Sequence, residues 1–262
     1  MKCITLLTDF SEKDGYPGIM KGVILNTAPQ AEIIDISHDI PPQDIRQAAI
    51  LLARSAPYFP AGTIHVCVVD PGVGTGRRGI IAQLGSQFFI GPDNGLMTLL
   101  YQRAVKDGLV VRIQSLANPD YQLSPVSRTF HGRDIFAPAA GHLANGIPLS
   151  NFGKSVPDPV LLDIPVPIRT SQGWHGEVIS VDAFGNLACN LGSHHFMHPE
   201  SDEIRIKERM IKGLNKTFAD RQPGDLVALL DSFGQLSICV VNGSLEETLG
   251  ISVGEPVWLI EE

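Results

Sequence analysis

Basic residues are in the minority in this sequence. Twenty Lys and Arg face 28 Asp and Glu, a formal net charge of −8. That is the wrong sign for a surface that grips a phosphate backbone, so nucleic acid is excluded as the main partner, although a local basic pocket stays open. Cysteines are few and scattered: Cys3, Cys67, Cys189 and Cys239, with no C-x-x-C. Cys67 lies inside an apolar run, and the set reads as reduced, core-filling thiols of a cytoplasmic protein. No apolar stretch approaches the ~18 residues of a membrane span, so a membrane partner is not expected. The apolar opening, M-K-C-I-T-L-L-T-D-F, is too short for a signal peptide and reads as a first strand. Internal repeats and low-complexity segments are not found. What remains is 262 residues, 44% hydrophobic and only 18% charged, enough for one large or two small compact domains.

The stretch V-D-P-G-V-G-T-G-R-R (69–78) carries the densest information. It follows the apolar run Ile64–Val69, which reads as a buried strand. Asp70 then sits at the carboxyl end of that strand, where open α/β sheets place their ligands. Pro71 biases Asp70 towards extended backbone. Gly72, Gly74 and Gly76 allow a sharp turn. Their spacing is neither G-x-G-x-x-G nor a P-loop, so a dinucleotide or nucleoside triphosphate site is not indicated. Taken alone, the stretch reads first as a glycine-rich turn with a solvated Asp–Arg pair and second as a site.

In chain order, Cys3–Thr8 and Glu32–Ser37 read as strands. Gly18–Thr27 has helical spacing, and Ile45, Ala48, Ala49, Leu52 and Ala53 mark an amphipathic helix. With Ile64–Val69 the rhythm is strand–helix–strand–helix–strand, that of a parallel sheet with right-handed crossovers. Short strands are expected at Gly79–Gln83, Gln87–Ile90 and Val110–Ile113, and helices at Leu96–Arg103 and Ile135–Asn145. From Gly146 to Gln172 five prolines and no helix signal suggest a linker wrapping the first domain. From Trp174 the pattern is six short strands between turns: Gly176–Val181, Leu187–Asn190, Glu203–Ile206, Leu226–Leu230, Leu236–Val240 and Pro256–Ile260. The expected fold is therefore α/β. A mostly parallel sheet with flanking helices occupies residues 1–165, with the linker at about 146–172, and a smaller all-β, barrel-like domain occupies residues 173–262.

Several side chains stand out as candidates. Asp9 and Asp70 end two strands that would be neighbours, and a carboxylate accepting two hydrogen bonds suits a ribose diol; turn or cap carboxylates fit equally well. His131, in F-H-G-R-D at a helix start, has the residue type for orienting water or carrying a proton, as well as for plain packing. His38 reads as structural. His194, His195 and His198 form H-H-x-x-H with no Cys or Glu to complete a zinc site, and read as surface loop. The runs 182–186 and 232–234 read as hairpin turns.

Together the segments resemble the SAM hydroxide adenosyltransferases, adenosine-forming S-adenosyl-L-methionine (SAM) hydrolases related to the fluorinase and chlorinase. The runs that carry the resemblance are T-D-F with Asp14 (8–14), I-S-H-D-I-P-P-Q-D-I (36–45), V-V-D-P-G-V-G-T (68–75), G-P-D-N-G-L (91–96), F-H-G-R-D-I-F-A-P (130–138), D-A-F-G-N-L (182–187) and D-S-F-G-Q-L (231–236). They span nearly the whole chain in order.

The resemblance implies hydrolysis of SAM to adenosine and L-methionine without a metal or other cofactor. It also implies a homotrimer holding SAM between the first domain of one subunit and the second domain of its neighbour. Asp70, Arg77 and His131 match the water-handling triad, with Arg78 as the alternative to Arg77. Asp9 would hold the ribose hydroxyls. Asp14, Asp182 and Ser232 would meet the amino and carboxylate groups of methionine. Asn186 would contact adenine, and Phe218 would pack on its face. Halogenating relatives carry tyrosine in place of Asp70, lack His131 and often have an inserted loop where this chain has only Gly85-Ser86, so water is favoured over halide. Two rivals stay open here: a metal-dependent nucleotide hydrolase using Asp9, Asp70, Asp93 and His131, and a non-catalytic SAM or adenosine sensor.

Overall fold

The first strand decides which side of the sheet each helix covers. In β1 (Cys3–Thr8) the side chains of Ile4 and Leu6 enter one apolar layer and Leu7 enters the other, as a period of two requires. The same split recurs in β3 (Ile64–Val68), with Val66 and Val68 on one face and Cys67 on the other. Two helices, α1 (Tyr16–Thr27) and α4 (Ala137–Ala144), cover the first face through Met20, Ile24, Ala137 and Ala140. Another two, α2 (Ile45–Ser55) and α3 (Thr98–Lys106), cover the second through Ala48, Leu52 and Ala104. A sheet buried on both sides needs the near-continuous apolar strands that the sequence supplies.

The computed structural model describes residues 2–261. Its chain divides into two units, Met1–Asp163 and Ile164–Glu262. The first unit is completed by β2 (Glu32–Ser37), β4 (Gly79–Leu84), β5 (Gln87–Pro92) and β6 (Val111–Ser115). The strand order is β2-β1-β3-β5-β4-β6. The first four strands run parallel, while β4 pairs antiparallel with both β5 and β6. Thr8 pairs with Val68 across β1 and β3, so Asp9 and Asp70 leave the sheet at one edge. Helix α1 starts two residues earlier than the spacing suggests, because Pro17 fits the first turn. Asp44 caps α2 by accepting from the Gln47 N–H at 2.8 Å.

The proline-rich stretch expected to be a linker belongs up to Asp163 to the first unit. It lies along β6, where the Val156 N–H donates to the Ile113 carbonyl and Ser155 bridges Gln114. It also contains one short 3-10 turn, Leu149–Asn151.

The second unit is an eight-stranded antiparallel sheet made of β7 (Ile168–Thr170), β8 (Gly173–Val181), β9 (Leu187–Gly192), β10 (Glu203–Ile206), β11 (Arg209–Lys212), β12 (Leu226–Leu230), β13 (Gln235–Val240) and β14 (Pro256–Ile260), with the short helix α5 (Leu245–Leu249). The order is β11-β10-β14-β8-β9-β13-β12, with β7 on β8. The edge strands β11 and β12 approach each other, so the sheet nearly closes around Val178, Leu191, Ile204, Ile238 and Leu259.

Two expectations fail here. His195 of the H-H-x-x-H run is buried, with its ring edge-on to Trp174 and its Nδ1 accepting from the Gly192 N–H at 2.8 Å; only His194 and His198 are at the surface. A small repeat also exists. In both D-x-F-G-x turns (182–186 and 231–235) the Asp carboxylate accepts from the Phe N–H and from the N–H two residues further on, at 2.8 and 2.9 Å in each case. In both, the glycine is left-handed.

Candidate active site

Asp70 is placed by the strand before it and by a neighbouring turn. The Asn94 side-chain amide, in the loop after β5, donates to the Val69 carbonyl at 2.8 Å. From Asp70 the chain makes two successive turns, Val73 N–H to Asp70 O and Thr75 N–H to Gly72 O. Gly74 has φ +76°, and a Cβ there would overlap the Arg128 carbonyl oxygen. The glycine is therefore what lets the 70–77 loop lie against the loop that carries His131.

These turns fold Arg77 back onto Asp70. Its Nε donates to both carboxylate oxygens, at 2.9 and 3.0 Å, and Nη2 also donates to Oδ2. Nη2 in addition donates to Nδ1 of His131 at 2.7 Å. The guanidinium carbon lies 5.4 Å from the Phe136 ring centroid. The Asp70 and Arg77 side chains are only 5% and 11% exposed. Such a pair depends on both partners, and removing one from a buried pair costs about 3–5 kcal/mol.

The hydrogen bonds also fix the state of the histidine. Arginine has no acceptor, so Nδ1 must accept, and the neutral ring keeps its proton on Nε2. The His131 pKa lies below its usual value, through desolvation first and the Arg77 charge second; Asp70, Asp134 and a hydrogen bond to the Ser127 backbone oppose the shift. Among the described residues, Nη1 of Arg77 has no hydrogen-bond partner. Its two N–H groups are available to an oxygen beside the triad.

Arg78 has a different environment. It donates to the buried Asp93 carboxylate at 2.8 Å and, at 2.8 Å each, to the side chain and carbonyl of Asp158. Asp93 also accepts from the Val160 N–H at 2.8 Å. Adjacent side chains of an extended segment point in opposite directions, which separates the two arginines.

Asp9 lies at the same sheet edge as Asp70, with one carboxylate oxygen accepting from the Gln43 N–H at 2.8 Å. The preceding Thr8 hydroxyl is bonded to Nδ1 of the buried His38 at 2.8 Å, and His38 Nε2 lies 3.1 Å from Asp35. Asp14 is exposed on the loop before α1. In the second unit Asp182 and Asn186 share one turn, with the Asn186 side-chain amide donating to Asp182 at 2.9 Å. Ser232 is exposed on the turn before β13. Leu187 pairs with Ile238 and Gly192 with Gln235, so the Asp182 and Ser232 turns cap opposite ends of the β9–β13 pair. Phe218 is 43% exposed on its own 3-10 turn. Among the described residues, no three His, Cys, Asp or Glu side chains are grouped to hold a metal ion.

Two family models account for nearly all of this chain. The SAM hydroxide adenosyltransferase N-terminal domain matches residues 4–153, and the C-terminal domain of the same family matches residues 176–258. The chain belongs to the SAM hydroxide adenosyltransferase family. Among its relatives is the (R)-S-adenosyl-L-methionine hydrolase of Salinispora tropica, 39% identical over 96% of this chain and 95% of that one. That of Thermus thermophilus is 38% identical over 99% and 100%. A fluorinase of Actinoplanes sp. is more distant, at 25% over 90% and 89%. Among solved structures, an uncharacterized conserved protein from Thermotoga maritima superposes with a TM-score of 0.90 at 34% identity, over 98% of this chain and 100% of that one.

Reading the sequence missed the residues that brace the site: Asn94 and Asp134 beside the triad, and Gln43, whose N–H bonds Asp9. Asn94 lies in the G-P-D-N-G-L run and Gln43 in the P-P-Q-D run. Asp134 lies on the π-helical turn Gly132–Phe136 that begins at His131, a type of turn often found at functional sites. An acid three residues after a candidate histidine was the available signal for Asp134.

Proposed function

We propose that this chain hydrolyses SAM to adenosine and L-methionine, with water attacking C5′ of the ribose in line with the departing thioether. The observation that carries the reading is the Asp70–Arg77–His131 constellation at the carboxyl edge of β3, in a family whose named relatives include (R)-S-adenosyl-L-methionine hydrolases. The C5′–O bond forms as the C5′–S bond breaks, and its electron pair neutralises the sulfonium. The leaving group departs as a neutral thioether, so the reading invokes no cofactor. One water proton stays on the new 5′-hydroxyl and the other passes late in the step to Asp70 and from there to solvent.

The difficult partner is the nucleophile. Water has a pKa of about 15.7, far above the range of a side-chain carboxylic acid, so no carboxylate takes its proton in the ground state. Both oxygens of Asp70 are already taken by Arg77. Its work is to hold the guanidinium and to accept a proton late, as the C–O bond forms. His131 holds the guanidinium from the other side. The free Nη1 donors then meet the oxygen as it gains hydroxide character, the kind of preoriented electrostatic help that is worth most where water is excluded. Correct placement of the nucleophile contributes as much as roughly 7–11 kcal/mol.

In this reading Asp9 binds the ribose diol, Asp14 and Asp182 bind the methionine end, and Asn186 and Phe218 bind adenine; Ser232, on the turn at the other end of the β9–β13 pair from Asp182, is assigned to the methionine end by the resemblance alone. It includes a homotrimer in which SAM lies between the first unit of one subunit and the second unit of the next. Support comes from the division of these residues between the two units, and from Phe184 and Phe233, which stand 78% and 46% exposed on the two repeated turns. Light scattering of the purified protein checks the trimer. The four free thiols support a cytoplasmic setting.

The function is tested by incubating the protein with SAM in EDTA, without halide, and separating the products. Equal amounts of adenosine and methionine, absent with Asp70→Ala, are expected. Bound SAM without products would make the protein a sensor. Activity that requires added metal would make it a metal-dependent hydrolase.

A further inference from the structure

His131 is held by a loop that is itself held by one buried acid. The Asp134 side chain is 1% exposed. Its Oδ2 accepts from the Ser127 N–H at 2.8 Å. The Ser127 hydroxyl accepts from the Phe130 N–H at 3.0 Å, and the Phe130 carbonyl accepts from the Asp134 N–H at 3.2 Å. The result is a closed ring of hydrogen bonds around residues 127–134, with His131 inside it. Arg133 neutralises Asp134 from the solvent side, with Nε on Oδ1 at 2.6 Å, and lies over the Phe130 ring. Phe130 in turn packs edge-on against Phe10 and Tyr16.

We infer that Asp134 is a positioning residue for the hydrolysis: its carboxylate clasps the Ser127 backbone and so holds the His131 ring with unprotonated Nδ1 facing Arg77. The inference rests on Asp70, Arg77 and His131 being the group that handles water. A carboxylate is suited to this task because it accepts a backbone N–H more strongly than a neutral group does, and because a buried acid with its bonds satisfied resists rotation. The charged groups facing the ring are Arg77, Asp70 and Asp134. Asp134 therefore has a second effect that a neutral clasp lacks: it partly offsets the Arg77 charge felt by the imidazole.

The test uses the full chain labelled with 15N, with the His131 ring signals assigned by their loss in His131→Gln. Wild-type protein at pH 7.5 should show the Nε2–H tautomer. Asp134→Asn should give a mixture of tautomers, and kcat for SAM lower by about ten- to a hundredfold with KM within about threefold, as expected for a misplaced reacting group. The acid limb of its kcat profile should move to lower pH, because a negative charge facing the ring has gone. Asp134→Glu should recover part of both. Ser127→Ala, which removes the hydroxyl that accepts from the Phe130 N–H and leaves every charge in place, should produce the same changes in tautomer and kcat to a smaller degree with the acid limb unmoved, and it serves where Asp134→Asn does not fold. An Nδ1–H ring in wild type, or an unchanged ring, kcat and acid limb in Asp134→Asn, overturns the inference. If wild type turns over no SAM, the proposed function fails, while the ring spectra still decide the clasp.

Discussion

Two neighbouring arginines with nearly identical sequence surroundings are expected to respond in opposite ways to one conservative change. In Arg77→Lys the fork that holds both Asp70 oxygens and His131 Nδ1 is replaced by one flexible ammonium. Lysine supplies charge but not the planar geometry, so the change is not conservative at a bidentate site. The Nη1 donors are lost as well. Removing one oriented donor from a site of this type costs about 10²–10³ in kcat, or about 2.7–4 kcal/mol, and the loss should fall on kcat rather than KM. Arg78 binds Asp93 and the 73% exposed Asp158. The exposed half of that arrangement contributes about 0–1 kcal/mol, so Arg78→Lys should lower stability by about 1–2 kcal/mol through its bonds to the buried Asp93. Its kcat should stay within about threefold of wild type, under 1 kcal/mol in the barrier. The assay is adenosine release at varied SAM, with urea unfolding of each variant. Comparable kcat losses in the two variants, or an Arg77→Lys enzyme within about threefold of wild type, would refute the separation of roles.

Gly74→Ala should destabilise the fold by roughly 1–3 kcal/mol, from the left-handed backbone and the overlap with Arg128, and should lower kcat as the two loops part; thermal unfolding and turnover check it. His65, buried and bonded to Thr5 at 2.8 Å, has its pKa pushed down to about 4 by burial. Because the folded state favours the neutral ring, this contribution is fully present above about pH 6.5 and is lost as pH falls towards 4, about 3 kcal/mol in all. Urea midpoints at pH 7 and pH 4 should show that slope, and His65→Gln should flatten it. His131 follows the same sign: activity should persist below the usual histidine pKa and fall as the ring protonates and can no longer accept from Arg77.

Cys3–Thr8 and β3 were legible as nearly continuous apolar runs, β3 ending one residue early at Val68, while Glu32–Ser37 matches its expected bounds on three isoleucines set among polar residues. Strands β7 and β11 were not, since three or four residues with exposed polar positions carry no period to read. The D-x-F-G-x repeat escaped because its two copies share only a turn, and its regularity lies in backbone hydrogen bonds. Asp70 was readable as an acid at a strand end. Which arginine joins it was not, because the answer depends on the direction of a side chain just before β4. Pairing His131 with Arg77 needs two loops 54 residues apart to touch; the family resemblance implied the pair, but the residues alone did not, because the contact rests on the packing of Gly74 against Arg128. Gln43 and Asn94 act through backbone groups, which leave no pattern of their own in a sequence; Asp134 left only its spacing from His131.

The most direct test is to run the reaction with wild-type protein in H₂¹⁸O and weigh both products. Attack of water at C5′ predicts one ¹⁸O atom in the 5′-hydroxyl of adenosine and none in the methionine. Label in the amino-acid product, or adenosine formed without label, would contradict the account.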